Sequence, residues 1–178
     1  AGLLDVTGEE IVEVKGPDAE ALLDDIMPRD VRKMKDGHCY YSVLLHDHGG
    51  IVEDGILVRF NKELFWWIGG PGNSEECLYA NGVARNVSIE SFNDRIHVAS
   101  LQGPKSREIL QQVCDADLTP VPFYGMIQAK VCGVPVTITR TGYTAELGYD
   151  IYVDVAHGAA FFADLWSTVQ KAGGALCG

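Results

Sequence analysis

The chain has 178 residues, 47% hydrophobic and 9% aromatic, which is enough apolar material for a packed domain and too much for a disordered segment. A formal net charge of −11 argues against nucleic acid as a partner, because phosphate-backbone binders carry a basic footprint and the longest basic cluster here is Arg32-Lys33-Met34-Lys35. No apolar run approaches the roughly 20 residues that cross a membrane, and the first residues lack the basic opening of a signal peptide, so no membrane partner is expected and the protein reads as soluble and intracellular.

Leu3 to Val6 reads as ordered apolar structure at the very start. The segment Val14-Lys15-Gly16-Pro17-Asp18-Ala19-Glu20-Ala21-Leu22-Leu23 predicts a strand that ends at glycine, with proline in the first turn of a helix and apolar residues recurring at helical spacing. Strands follow at 40–45, 51–60 and 64–68, joined by tight turns that include Gly49-Gly50, and then a helix over 74–81. Leu101-Gln102-Gly103-Pro104-Lys105-Ser106-Arg107-Glu108-Ile109-Leu110 aligns without gaps against residues 14–23 and repeats the same logic. Strands are again expected at 126–131, 134–140 and 148–153, with a closing helix over 156–172. In that helix Ala159, Phe162, Leu165, Trp166 and Val169 form the expected apolar stripe.

The fold class that follows is α+β: two similar β-rich halves, about 1–90 and 91–178, each with a Gly-Pro-initiated helix and mainly antiparallel sheets. No G-x-G-x-x-G or Walker loop points to a nucleotide fold. Five scattered cysteines without a C-x-x-C pair read as reduced structural thiols. Neither end reads as a natural terminus, so residues 1–178 are expected to be part of a longer domain, truncated at both ends.

His46-Asp47-His48-Gly49-Gly50-Ile51-Val52-Glu53-Asp54 concentrates two histidines and three carboxylates on a turn and the strand leaving it. Two histidines two apart in extended chain share a face, which is a metal-ligand spacing, but no further His or Cys pair supports it. Solvation of the turn is the simpler reading, and no metal is expected. Glu53 and Asp54 point to opposite faces of a strand, so one must face the apolar side or a cavity, where a carboxylate needs hydrogen bonds or a raised pKa. Periodicity alone leaves open which one. A second dense segment, Thr139 to Tyr152, brackets a loop between two glycines and carries tyrosines and acids that suit a flat, hydrogen-bonding ligand, although a plain turn would have the same composition.

Six segments in order along the chain resemble the aminomethyltransferase family, the T-protein of glycine cleavage and its relatives: Gly2 to Thr7, Val14 to Ala19, Gly49 to Asp54, Leu101 to Pro104, Arg140 to Thr144, and Gly148 to Asp150. The resemblance implies a folate-binding domain of two α+β halves and a reaction that moves an aminomethyl or methyl unit from an amine or methylated small molecule to tetrahydrofolate. It implies Asp54, not Glu53, as the catalytic carboxylate, and Tyr41, Phe123, Tyr143 and Asp150 as residues that contact folate. Asp150 stands where relatives carry a glutamate that meets the pterin edge, one methylene longer. The implied partner is a free methylated donor or a lipoyl carrier protein, and the implied compartment the cytoplasm, or the mitochondrial matrix in a eukaryote. Two other readings belong to the same resemblance. One is the folate domain of a sarcosine- or dimethylglycine-oxidising enzyme; the other is a non-catalytic folate-binding module of the iron–sulfur assembly type, whose cysteine-containing signature is absent from Thr141 to Gly148.

Overall fold

Segments with period-two apolar patterning pair into two sheets in the computed structural model, which describes all 178 residues. In chain order the elements are β1 (Gly2–Asp5), β2 (Glu10–Lys15), α1 (Ala19–Ile26), β3 (His38–Leu45), β4 (Ile51–Asn61), β5 (Leu64–Gly69), α2 (Ser74–Gly82), β6 (Ser88–Ser91), β7 (Ile96–Gln102), α3 (Ser106–Gln111), β8 (Met126–Val131), β9 (Val134–Thr139), β10 (Gly148–Asp154), α4 (Val155–Lys171) and β11 (Ala175–Leu176). They divide into two compact units, Gly8–Asp94 and Ala1–Thr7 together with Arg95–Gly178.

In the Gly8–Asp94 unit the sheet runs β3-β4-β5-β2-β6 with every neighbour antiparallel. One face packs Val12, Val14, Leu44, Leu57, Phe65 and Trp67 against Leu22, Leu23 and Ile26 of α1. Full burial of each such side chain contributes about 1.5–3 kcal/mol. The buried Arg59 of β4 donates to Glu20 of α1, to Asp36 (2.7 Å) and to the Val31 carbonyl (3.3 Å), so the helix and the segment after it are pinned to the sheet by a satisfied charge.

In the other unit the order is β11-β1-β7-β10-β9-β8, antiparallel except where β11 joins β1. Its core is built from Leu3, Leu101, Ile138, Tyr149, Ile151, Phe161 and Leu165. Leu165 and Val169 of the expected α4 stripe are buried, but in its first half the buried face lies one residue earlier: Gly158 and Phe161 are buried, Phe162 and Trp166 flank them, and Ala159 is exposed. Gly158 is the reason, because a Cβ there would lie 2.8 Å from the His97 Cβ, and its absence lets the helix close on β7. The Asp154 carboxylate caps the helix by accepting from the Ala156 N–H at 2.8 Å.

The sequence repeat is a repeat of hydrogen bonds. Gly16 (φ 141°) donates to the Glu63 carbonyl at 2.9 Å and Gly103 (φ 117°) to the Leu147 carbonyl at 2.7 Å. Ala19 donates to Gly16 O and Ser106 to Gly103 O, and then Leu22 to Asp18 O and Ile109 to Lys105 O. Both φ values lie where a side chain is strained, which explains glycine at each start. Pro17 and Pro104 sit in the turn just before the helix rather than in its first turn, since α1 and α3 begin two residues later. The order β3-β4-β5-β2 of one sheet matches β8-β9-β10-β7 of the other. The short leading strands are exchanged: β1, ahead of β2, pairs with β7, and β6, ahead of β7, pairs with β2.

Candidate functional site

Asp54 lies on β4, is exposed, and its Oδ2 accepts a hydrogen bond from the Tyr41 hydroxyl at 2.8 Å. Register explains the meeting: Val43 faces Asp54 and Tyr41 faces Ile56, so Tyr41 and Asp54 are diagonal neighbours on one face of β3 and β4. That face is opposite the one that packs on α1. Alternation along β4 settles Glu53 against Asp54: Leu57 packs on the core, so Gly55 and Glu53 lie on the core side and Asp54 on the other. A β-bulge follows, because Leu44 pairs with Glu53 while the adjacent Leu45 pairs with Ile51, and the extra residue, Val52, packs on the core side as well. Glu53 accepts from the Ser74 hydroxyl, leaving Asp54 as the carboxylate on the open face.

Two features hold that strand in place from beneath. Gly55 follows Asp54, and a Cβ there would lie 2.8 Å from Trp67 Cζ2 and closer still to the Ile68 carbonyl, so the indole lies flush against the strand. Trp67, fully buried, donates from Nε1 to Ser74 Oγ at 2.9 Å. Trp67 and Ser74 are site supports that periodicity does not reveal, because an indole in an apolar run reads only as core.

The other three expected residues belong to the second unit. Phe123 is 63% exposed in the loop before β8, with its ring 4.3 Å from that of Tyr124, and Tyr143 is 71% exposed in the loop after β9. The Phe123 loop is tied to the end of β9: Tyr124 N–H donates to Arg140 O (3.1 Å), Arg140 N–H to Gly125 O (2.8 Å), and the Arg140 guanidinium to Val121 O (2.9 Å). Asp150, in contrast, is buried on β10 with Ser100 and Thr139 as its register partners. Its Oδ1 accepts from Ser100 (2.6 Å) and Gln102 (3.4 Å) and its Oδ2 from Thr141 (2.5 Å), which leaves one acceptor position on Oδ2. Thr141 is itself bonded to Thr139 at 2.6 Å, so the carboxyl is held in a chain of hydroxyls that can donate or accept.

Gln102 is the hub that sequence reading missed. Its amide donates to Ser100 Oγ (2.9 Å), to the Thr141 carbonyl (3.2 Å) and to Asp150, and its Oε1 accepts from Thr144 (2.9 Å). Gly142 and Gly148 both press on this side chain so closely that neither has room for a Cβ. The signal was present as polar residues two apart, Ser100 and Gln102, in an otherwise apolar strand. Gln102→Ala is expected to cost about 1–3 kcal/mol by leaving buried partners unsatisfied, and amide hydrogen exchange should show faster opening of residues 141–148 than in wild type.

Burial pushes the Asp150 carboxyl above the usual carboxylate range, and the donors Ser100, Thr141 and Gln102 offset part of that rise. The sign follows: relative to the unfolded chain the proton is held more tightly in the folded one. The contribution is fully present below the unfolded value of about 3.9 and is lost as pH rises through the raised folded value. Urea unfolding at a series of pH values should therefore show wild type losing stability relative to Asp150→Asn as pH rises above about 4. A pH-independent difference between the two would contradict this.

An open cleft of about 630 Å³ lies in the Gly8–Asp94 unit, lined by Leu45, His46, His48, Val52, Glu76 and Cys77 among others. None of the expected site residues lines it. His46 and His48 stack on each other with ring centroids 5.2 Å apart, and burial pushes the Cys77 thiol up, away from the reactive thiolate. No three His, Cys, Asp or Glu side chains come together in a ligating arrangement, no helix is long and apolar enough to cross a membrane, and all five cysteines are free thiols.

The family model described as the GCVT N-terminal domain matches residues 1–178. The chain is similar to an aminomethyltransferase of Alkaliphilus oremlandii, 36% identical over 86% of this chain and 43% of that protein. It is also similar to a trimethylamine-oxide aldolase of Ruegeria pomeroyi, 33% identical over 96% of this chain and 23% of that protein. The crystal structure of the glycine cleavage system aminomethyltransferase T from Bartonella henselae superposes with a TM-score of 0.86 at 24% identity, covering 99% of this chain and 47% of that one, which shows a shared fold. The chain thus spans less than half the length of each of these proteins. From a match along its whole length, the chain belongs to the GCVT N-terminal domain family.

Proposed function

We propose that this chain is the tetrahydrofolate-binding part of an enzyme that transfers a one-carbon unit, aminomethyl or methyl, from an amine or methylated small molecule to tetrahydrofolate. The observation that carries the reading is the Tyr41–Asp54 hydrogen bond on an exposed strand face, a carboxylate oriented by a phenol and open to a ligand. Three of the eight large hydrophobic side chains left exposed are Tyr41, Phe123 and Tyr143, which supply flat surfaces of the kind that cover a pterin. Asp150 offers its remaining acceptor position to an N–H donor, and such a donor would favour its charged form. The residues present therefore fit the group.

Tetrahydrofolate, as acceptor, supplies the nucleophilic nitrogens that take up the one-carbon unit. The work left to the protein is to hold those nitrogens near the donor and to manage protons: each accepting nitrogen loses one, and the departing amine, with the thiol of a lipoyl donor, gains them. Asp54 takes this role in our reading, which is supported by the Tyr41 hydroxyl engaging one of its oxygens and leaving the other open. Similarity to both an aminomethyltransferase and a trimethylamine-oxide aldolase supports one-carbon chemistry on amines and does not select a donor. The donor is then either carried on a lipoyl protein or free in solution, with the cytoplasm or mitochondrial matrix as the setting.

Calorimetric titration of the full-length protein with tetrahydrofolate tests the reading. Saturable binding that weakens in Tyr143→Ala and Asp150→Ala is expected, and no binding by the wild type would refute it. Binding without transfer from any methylated donor would favour the non-catalytic module instead.

A further inference from the structure

Glu53 is the acidic neighbour that faces away from the open side, and its surroundings are too specific for a solvated carboxylate. The Ser74 hydroxyl donates to its Oε2, and the Trp67 indole N–H donates in turn to Ser74 Oγ at 2.9 Å. Three glycines, Gly69 at the end of β5 and Gly70 and Gly72 in the segment that leads to α2, crowd the carboxyl: a Cβ at Gly69 or Gly70 would lie 3.1 Å from it, and one at Gly72 only 2.7 Å. Glu53 pairs with Leu44 at the edge of the register shift and directly precedes Asp54, so its anchor holds the backbone between the bulge and Asp54. We infer that Glu53 is the positioning residue for Asp54, clipping the 69–74 segment onto the bulged strand so that the Asp54 carboxylate is held against the Tyr41 hydroxyl. The inference rests on the proposed role of Asp54.

A second carboxyl shares the clip. Glu10, paired with Gly69 across β2 and β5, is pushed up by burial and then by the charge of Glu53, with Glu75 adding to the rise, while the hydroxyl and backbone N–H of Ser74 work against it. Removing the Glu53 charge should let Glu10 ionise more readily. Melting temperature measured beside a local readout at Tyr41 separates positioning from folding. A bulge left unanchored can shift its side chains by a fraction of the distance that separates neighbouring residues, and misplacements of about 1 Å cost up to about a hundredfold in rate.

The test uses the full-length protein with tyrosine labelled with ¹³C at Cζ, so that the Tyr41 resonance, assigned by its loss in Tyr41→Phe, reports the bond to Asp54. Glu53→Ala and Ser74→Ala should move that resonance toward its position in Asp54→Ala. Glu53→Gln, which keeps an oxygen for the Ser74 hydroxyl, should leave it near wild type. Leu78→Ala, in the core of the same unit, should lower the melting temperature and leave the resonance unmoved. In transfer assays the same variants should show kcat lower by about ten- to a hundredfold in Glu53→Ala, with KM for the donor little changed and kcat largely rescued in Glu53→Gln. A Tyr41 resonance unmoved in Glu53→Ala, or one that moves equally in Leu78→Ala, overturns the inference whatever the activity. A wild type that neither binds folate nor turns over refutes the proposed function and leaves the resonance to decide the positioning on its own.

Discussion

Asp54→Asn is expected to lower the rate of one-carbon transfer by about 10²- to 10⁴-fold, the range in which a positioned acid or base acts. The substitution keeps size and leaves an oxygen able to accept from the Tyr41 hydroxyl, so the diagonal pair across β3 and β4 should survive. It removes the ability to take and return a proton, and the affinity for tetrahydrofolate should change little, because the expected contacts with folate come from Tyr41, Phe123, Tyr143 and Asp150, none of which is altered. The loss should therefore fall on kcat rather than on KM, the pattern of an interaction made only in the transition state. Single-turnover kinetics at saturating tetrahydrofolate measure it. Equal losses in kcat and in folate affinity would mean that Asp54 binds rather than reacts.

Trp67→Ala should destabilise the Gly8–Asp94 unit by about 3–5 kcal/mol, the cost of deleting a buried aromatic and leaving the space behind. Trp67 is the largest fully buried side chain, it packs with Leu57, Phe65 and Val12, and its Nε1 is the donor that holds Ser74. The cavity would open directly beneath Gly55, the residue after Asp54. Activity should therefore fall at temperatures where the variant is still folded. Thermal unfolding of wild type and variant, followed by near-ultraviolet circular dichroism, gives the stability difference. A change below about 1 kcal/mol would be a surface-like response and would contradict the packing described.

Much of the fold is legible in the sequence because its signals are local. The Gly-Pro repeat can be read since positive φ and a missing side chain are demanded at Gly16 and Gly103, and the strands flanking Gly49-Gly50 and Cys132-Gly133 follow from alternation and turns. The exchange of β1 and β6 is not legible, because strands of four residues carry no mark of which sheet will accept them. At the site, the aromatic residues are found by resemblance and the structure leaves them exposed. The choice of Asp54 over Glu53 cannot be read from the start of β4, because one extra residue there shifts register against Leu44 and Leu45 and puts Val52 on the same side as Glu53, while alternation from Leu57 backward gives the faces as they are. Gln102 and Ser74 escape notice for a related reason: each looks like an ordinary polar residue at an element's end, and its importance comes from partners about 40 or about 20 positions away.

The most direct test of the central claim follows a ¹³C-labelled methyl or aminomethyl group by NMR, in full-length protein supplied with tetrahydrofolate and either a free N-methylated amine or an aminomethyl-lipoyl carrier. Label appearing on tetrahydrofolate with wild type, and not with Asp54→Asn, is the predicted result. Label that stays on every donor with wild type, or that transfers equally well in Asp54→Asn, would contradict it.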